Sequence, residues 1–287
     1  MQRLAFPVIP LSIFLLCCAV RGDTFELPRP NKDTFPGNRY DITAAQWEDS
    51  KLIAEQLGHL SHVWDMLFVK LMKDAKIEPA VLRHQVILYH NQREYIAHLL
   101  RIEPAIARTN GFYHAPGRTA YFFSAEARIL FHEGTHQILA ERFFYDKTPD
   151  FRNNYWVIEG IALLMETLRI EEDRYVIGDI FANRLYSAKV YRFERGHNLS
   201  IERLTAMSAS DIQSSRDLQQ IYSQSAALTH WLMFAEHGRY RTALFELLRR
   251  TYCDLATPNT LSELTGFSYE ELDARYTEFL KTIPDEP

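Results

Sequence analysis

Phe131-His132-Glu133-Gly134-Thr135-His136-Gln137 reads His-Glu-x-x-His, and the rest of the chain is best placed relative to it. Residues four apart on a helix lie one turn apart on the same face. The imidazoles of His132 and His136 can therefore reach one tetrahedral metal ion, for which zinc is the usual occupant. Glu133 points a little around the helix from His132. There it can reach a water on the metal, the position of a carboxylate general base. The flanks are apolar, with Ile129, Leu130 and Phe131 before the motif and Ile138, Leu139 and Ala140 after it. A helix that is apolar nearly all round is a buried one. A buried glutamate beside two histidines needs a partner that offsets its desolvation, and a metal is the simplest. A chance match would sit instead on the polar face of a surface helix.

Immediately upstream, Thr109 to Phe123 carries aromatic and β-branched residues on either side of Pro116-Gly117, which predicts a hairpin. Its second arm runs almost directly into the motif helix, with Ser124 as the expected N-cap. The hairpin edge then lies beside the metal, where it can pair with an extended peptide. Further upstream, Val86-Ile87-Leu88-Tyr89 reads as a strand and Gln92 to Leu100 as a helix ended by Pro104. Apolar residues at helical spacing run from Ala44 to about Ala75. His59 and His62 lie in that helix with no carboxylate at ligand spacing, so they read as core or surface residues. Residues 23–45 hold Pro28, Pro30, Pro36 and Gly37 and read as an extended lead-in.

Downstream, the motif helix is expected to end near Phe144, followed by a loop over 145–150. A second helix opens at Asn153 or Asn154 and runs to Leu168. Helices follow at roughly 179–195, 201–213, 217–237, 240–252 and 268–282, the last after a stop and new cap at Thr265-Gly266-Phe267-Ser268. The pattern predicts an α+β, mainly α fold. It has a small mixed sheet with an edge hairpin beside the motif helix, over 46–200, and a helical part over 201–287 that completes a cleft.

Two histidines do not hold zinc tightly, so a third ligand is required. Glu159, in Trp156-Val157-Ile158-Glu159-Gly160-Ile161-Ala162, stands 23 positions past His136 and is the only acid between Asp150 and Glu166. That gap lets one helix finish and an antiparallel neighbour begin, with Gly160 allowing the two to approach closely. The alternative is an acid at a helix N-terminus favoured by the helix dipole.

The first 22 residues read as a secretory signal: Arg3, then an uncharged run from Leu4 to Val20, then small residues near Ala19 and Gly22. The run contains Pro7 and Pro10 and is short for a membrane span; an uncleaved anchor and a lipoprotein signal at Cys17-Cys18 are the alternatives. The expectation is export to a periplasm or beyond the cell, with no stable membrane span after removal. Removal takes two arginines and no acid, moving the net charge from −5 to −7. No basic run or stripe stands out, which argues against nucleic acid as a partner. Cys253 is then the one cysteine left, so no intramolecular disulfide forms; it reads as a half-buried helix residue. Asn198-Leu199-Ser200 is a glycosylation sequon where the host glycosylates.

The motif helix and the Trp-x-x-Glu-Gly-x-Ala form of the second helix resemble the gluzincin metallopeptidases, in their peptidase-MA-like branch, over roughly residues 80–285. The resemblance implies zinc held by His132, His136 and Glu159, with Glu133 as base. It also implies a tyrosine or histidine on a later helix that donates to the developing oxyanion. Ile221-Tyr222-Ser223-Gln224-Ser225-Ala226-Ala227-Leu228 is similar to that segment and puts Tyr222 in the role, with His230 as the alternative and a core tyrosine as the plain reading. The expected activity is hydrolysis of a peptide or protein substrate by a secreted zinc peptidase. The rival expectation is a catalytically silent zinc-binding scaffold on a peptidase fold, and a third is a helical protein with a fortuitous motif. An aminopeptidase would need acids that hold a substrate amine; Glu126, Asp146 and Asp150 are placed for it by position alone.

Overall fold

The computed structural model describes residues 24–29, 39–44, 46–71, 83–104, 106, 109–143, 149–180, 182–197 and 199–285. Residues 1–22, expected to be a secretory signal, and Asp146 and Asn198 lie outside the described residues. In chain order the elements begin with strands β1 (Phe25–Pro28) and β2 (Tyr40–Ala44), helix α1 (Trp47–Leu71), strand β3 (His84–Leu88) and helix α2 (Gln92–Leu99). The hairpin β4 (Gly111–His114) and β5 (Thr119–Phe122) leads into α3 (Ala127–Phe143). Then come α4 (Tyr155–Met165), β6 (Arg169–Ile170), β7 (Arg174–Ile177) and α5 (Asn183–Phe193). The chain closes with α6 (Ile201–Ala206), α7 (Ala209–Gln213), α8 (Leu218–Gly238), α9 (Arg241–Tyr252), α10 (Thr260–Thr265) and α11 (Tyr269–Thr282).

The fold is α+β and mainly helical, with two small sheets among the described residues. The larger sheet has the order β2-β3-β5-β4, parallel except for β4, which pairs antiparallel with β5 and forms an edge. The hairpin thus lies at a sheet edge against α3, where its short link to the motif helix put it. The smaller sheet, β1-β7-β6, is antiparallel. The lead-in is therefore not free of the fold: β1 and β2 are extended, as the prolines suggested, but each is a paired sheet strand.

One apolar core runs from Phe25 to Ile283. Its centre is α8, buried from Ile221 to Phe234 apart from Tyr222 and packed most heavily on α4 and α5. The helix breaks near its end, where Ala235, Glu236 and His237 leave helical geometry. A minor cluster of Tyr95, Leu99 and Ile106 lies beside Phe112 and Tyr121. Cap chemistry explains the last helices. Gly266 ends α10 at φ 75°, which a glycine adopts without steric cost. Ser268 and Glu271 then form a capping box for α11. Ser124 does not cap α3: its hydroxyl accepts from the Glu126 N–H at 3.2 Å, and Glu126 offers the first helical carbonyl, to Leu130. Cys253 is exposed at the C-cap of α9, not half-buried in the helix. No helix of the described residues is long and apolar enough to cross a membrane.

Candidate metal centre

The site is held on two buried helices, and the sequence of each explains its placement. On α3, Gly134 faces α1: a Cβ there would stand 2.8 Å from Leu57 Cδ2 and Leu60 Cδ2. Trp64 of α1 donates its indole N–H to Thr135 Oγ1 at 3.3 Å. The two motif residues that are not His or Glu thus fasten the helix to its neighbour. At the other end of α3, Glu141 is bound at 2.9 Å by His84 Nδ1 and at 3.0 Å by the Gln137 amide. Gln137 also donates to the Gln85 carbonyl at 3.0 Å, which fixes α3 to the sheet.

On α4 every residue from Tyr155 to Met165 is buried. A Cβ on Gly160 would lie 2.1 Å from Thr229 Oγ1 and 2.8 Å from the Ser225 carbonyl oxygen. This glycine therefore permits close approach of α4 to α8, not of α4 to α3 as its place beside Glu159 suggested.

Among the described residues, His132, His136 and Glu159 form a group that could hold one metal ion. The two Nε2 atoms are 3.2 Å apart, and Glu159 Oε2 lies 3.5 Å from His132 Nε2 and 3.7 Å from His136 Nε2. Donors on a tetrahedral ion with bonds of about 2.1 Å stand about 3.4 Å from one another, so the triangle fits. The histidine side chains are 14% exposed and the glutamate 5%, so the site meets solvent through the imidazoles.

His132 Nδ1 lies 2.9 Å from Glu166 Oε1. A carboxylate only accepts, so Nδ1 carries a proton and Nε2 is the ring atom that faces the group, where a metal takes the place of its proton. Burial works against a charged His132, but Glu159 and Glu166 outweigh it and push its pKa up to about 10. Burial likewise opposes a charged Glu159, yet His136 and His132 hold its carboxyl well below the usual range. Positive charge is thus favoured at the centre of the group, and a cation supplies it as a proton does. Glu166 carries no motif signal, although it stands two turns beyond Glu159, at the C-cap of α4.

Glu133 Oε2 accepts the backbone N–H of Tyr113 on β4 at 3.0 Å. A Cβ on Gly111 would lie 2.9 Å from Glu133 Cγ and 2.9 Å from Ile129 Cγ2, so glycine lets the edge strand rest on α3. The Tyr113 N–H is spent on Glu133, hence residues 111 and 113 turn their backbone groups away from β5.

Tyr222 is half-buried on α8; burial pushes its phenol far above 10, and the charges of Glu159 and Glu133 push it further. The hydroxyl therefore stays protonated and able to donate. Tyr155 and Tyr252, both buried, are raised by burial and then by Glu159. Tyr155, one turn before Glu159 on α4, is a neighbour the i, i+4 rule could have found. His230 is elsewhere: its ring packs on Phe234 and Phe279, and its Nε2 has no protein partner. His59 is a core residue bonded to the Tyr175 hydroxyl at 2.8 Å. Glu126 and Asp150 are exposed and paired with Arg128 and Arg152.

No curated protein matches the chain. Residues 126–253, from the first turn of the motif helix to the end of α9 and so across every residue of the group and Tyr222, match the model of the family DUF1570, described as a protein of unknown function.

Proposed function

We propose that this chain is an exported zinc metallopeptidase of the gluzincin kind, with zinc on His132, His136 and Glu159. The observation that carries the reading is the donor triangle of 3.2, 3.5 and 3.7 Å with a separate carboxylate, Glu133 of α3, beside it and held by the backbone of the edge strand β4. Export rests on residues 1–22 alone. When bound, zinc is a Lewis acid that makes water nucleophilic near neutral pH.

The remaining work belongs to the chain. An extended peptide adds to β4 through the backbone groups that face away from β5, other than the Tyr113 N–H held by Glu133, which brings its carbonyl to α3. Glu133 takes the proton of the attacking water and returns it to the departing amine. The Tyr113 N–H holds the Glu133 carboxylate in place for both transfers. Tyr222 donates to the oxygen on which charge develops. Glu166 fixes the His132 ring by accepting its Nδ1 proton.

The test is elemental analysis of the purified protein beside His136→Ala and Glu159→Ala, with a peptide-library digest of the same samples. About one zinc per chain, lost in both variants together with cleavage, is the expected result. Zinc retained by Glu159→Ala would remove the third ligand, and a fully loaded protein that cleaves nothing would make it a silent zinc-binding scaffold.

A further inference from the structure

Beyond the metal group and its base, a guanidinium, that of Arg184, stands near Tyr222. Arg184 is the second residue of α5 and is half-buried. Its Nη1 donates to the exposed Gln219 side-chain oxygen at 2.8 Å. Among the described residues, no carboxylate lies in ion-pair range of it. Gln219 and Tyr222 are three apart on α8 and so share a face, and α5 packs closely on α8. Arg184 is thereby set one helical turn from Tyr222.

Tyr222 in turn stands within hydrogen-bonding reach of the Glu159 carboxylate, so Arg184 flanks the metal group with one tyrosine between.

The fold gives that guanidinium little reward. A cation in the first turn of a helix faces the positive end of the dipole, and a neutral amide is a weak partner for it. A planar fork of donors, half open to solvent, is suited to a carboxylate.

We propose that Arg184 is a specificity residue that binds a carboxylate of the substrate within a residue or two of the scissile bond. The proposal rests on the peptidase reading for what the site acts on, but not for the binding itself. The carboxylate has two sources, a free C-terminus or an acidic side chain. Arg184 is open to solvent on the flank of the site, where a chain end is as well placed as a side chain.

The experiment uses three libraries of acetylated pentapeptides. One has free C-termini, the second is the same set amidated, and neither contains Asp or Glu. The third is amidated with one Glu at each position in turn. Retention by zinc-loaded Glu133→Gln protein is read by mass spectrometry, and cleavage by the unaltered protein in parallel. The expected result is at least tenfold preference for one carboxylate-bearing library over the plain amides. Arg184→Gln brings that preference close to one, and Arg184→Lys keeps part of it, with both variants folded by circular dichroism. Preference for the first library assigns the chain end, and for the third the side chain. Equal retention of all three, or a preference untouched in Arg184→Gln, overturns the proposal. Preferential retention with no cleavage by the unaltered protein overturns the peptidase reading and leaves the carboxylate site. Cleavage without preference does the reverse, and neither retention nor cleavage removes both.

Discussion

At the scale of single residues, two carboxylates beside the same histidine do different work. Glu133 is bonded to the backbone of β4, not to the metal group, so Glu133→Gln is expected to keep its zinc and lose roughly 10²–10⁴-fold in peptide hydrolysis. Zinc content and turnover, measured on one preparation, separate the two effects; undiminished turnover would remove the general base. Glu166 sets the tautomer of His132 from behind. Glu166→Ala is therefore expected to weaken zinc binding by about 10–100-fold with the ligand set intact, read by competition with a chromogenic chelator. An affinity equal to that of the unaltered protein would reduce Glu166 to a helix-end acid. The His-Glu-x-x-His pair was legible because a spacing of four means one thing on a helix. Glu166 was not, because its role depends on which imidazole the end of α4 reaches, and that is set by how α3 and α4 pack.

At the scale of elements, the site depends on how closely α4 lies on α8. Gly160 leaves no room for a methyl group between Thr229 Oγ1 and the Ser225 carbonyl. Gly160→Ala is expected to destabilise the protein by about 1–3 kcal/mol through overpacking, less the gain in helix propensity. Adding Thr229→Ala should recover only part of the loss, since the Ser225 oxygen is backbone and cannot turn away. Urea midpoints of the two variants check this, and a single variant as stable as the parent would refute the close contact. The sequence carried the need for a small residue but not the identity of the neighbour. The strands divide the same way. The hairpin announced itself by aromatic residues around Pro116-Gly117, since its partners are adjacent. Strand β1 is four residues long and finds β7 across most of the chain, Phe25 against Ile177, a pairing that no local pattern encodes.

At the scale of the whole molecule, the core buries histidines that are neutral only above moderately acidic pH. Burial lowers the His230 pKa to about 3, and burial followed by Arg29 and His62 lowers that of His59 to about 4. The ordinary value is 6.5. For a group depressed in the folded state, the stabilising contribution is complete above the unfolded pKa and is lost as pH falls toward the folded one. Each of these two histidines should therefore cost about 1.4 kcal/mol per pH unit between about 6.5 and 4. His132 does not oppose this, because its pKa is raised in the fold, so it is protonated in both states across that interval. His230→Phe isolates one share of the slope. The ring already packs between Phe234 and Phe279 and its Nε2 lacks a partner, so a phenyl ring replaces it without stranding a polar group. Urea unfolding of zinc-free protein at pH 6.5, 5.5 and 4.5 is expected to show a slope shallower by about 1.4 kcal/mol per pH unit in the variant. Parallel slopes would mean that His230 is protonated alike in the folded and unfolded chain, and that acid lability is set elsewhere in the core.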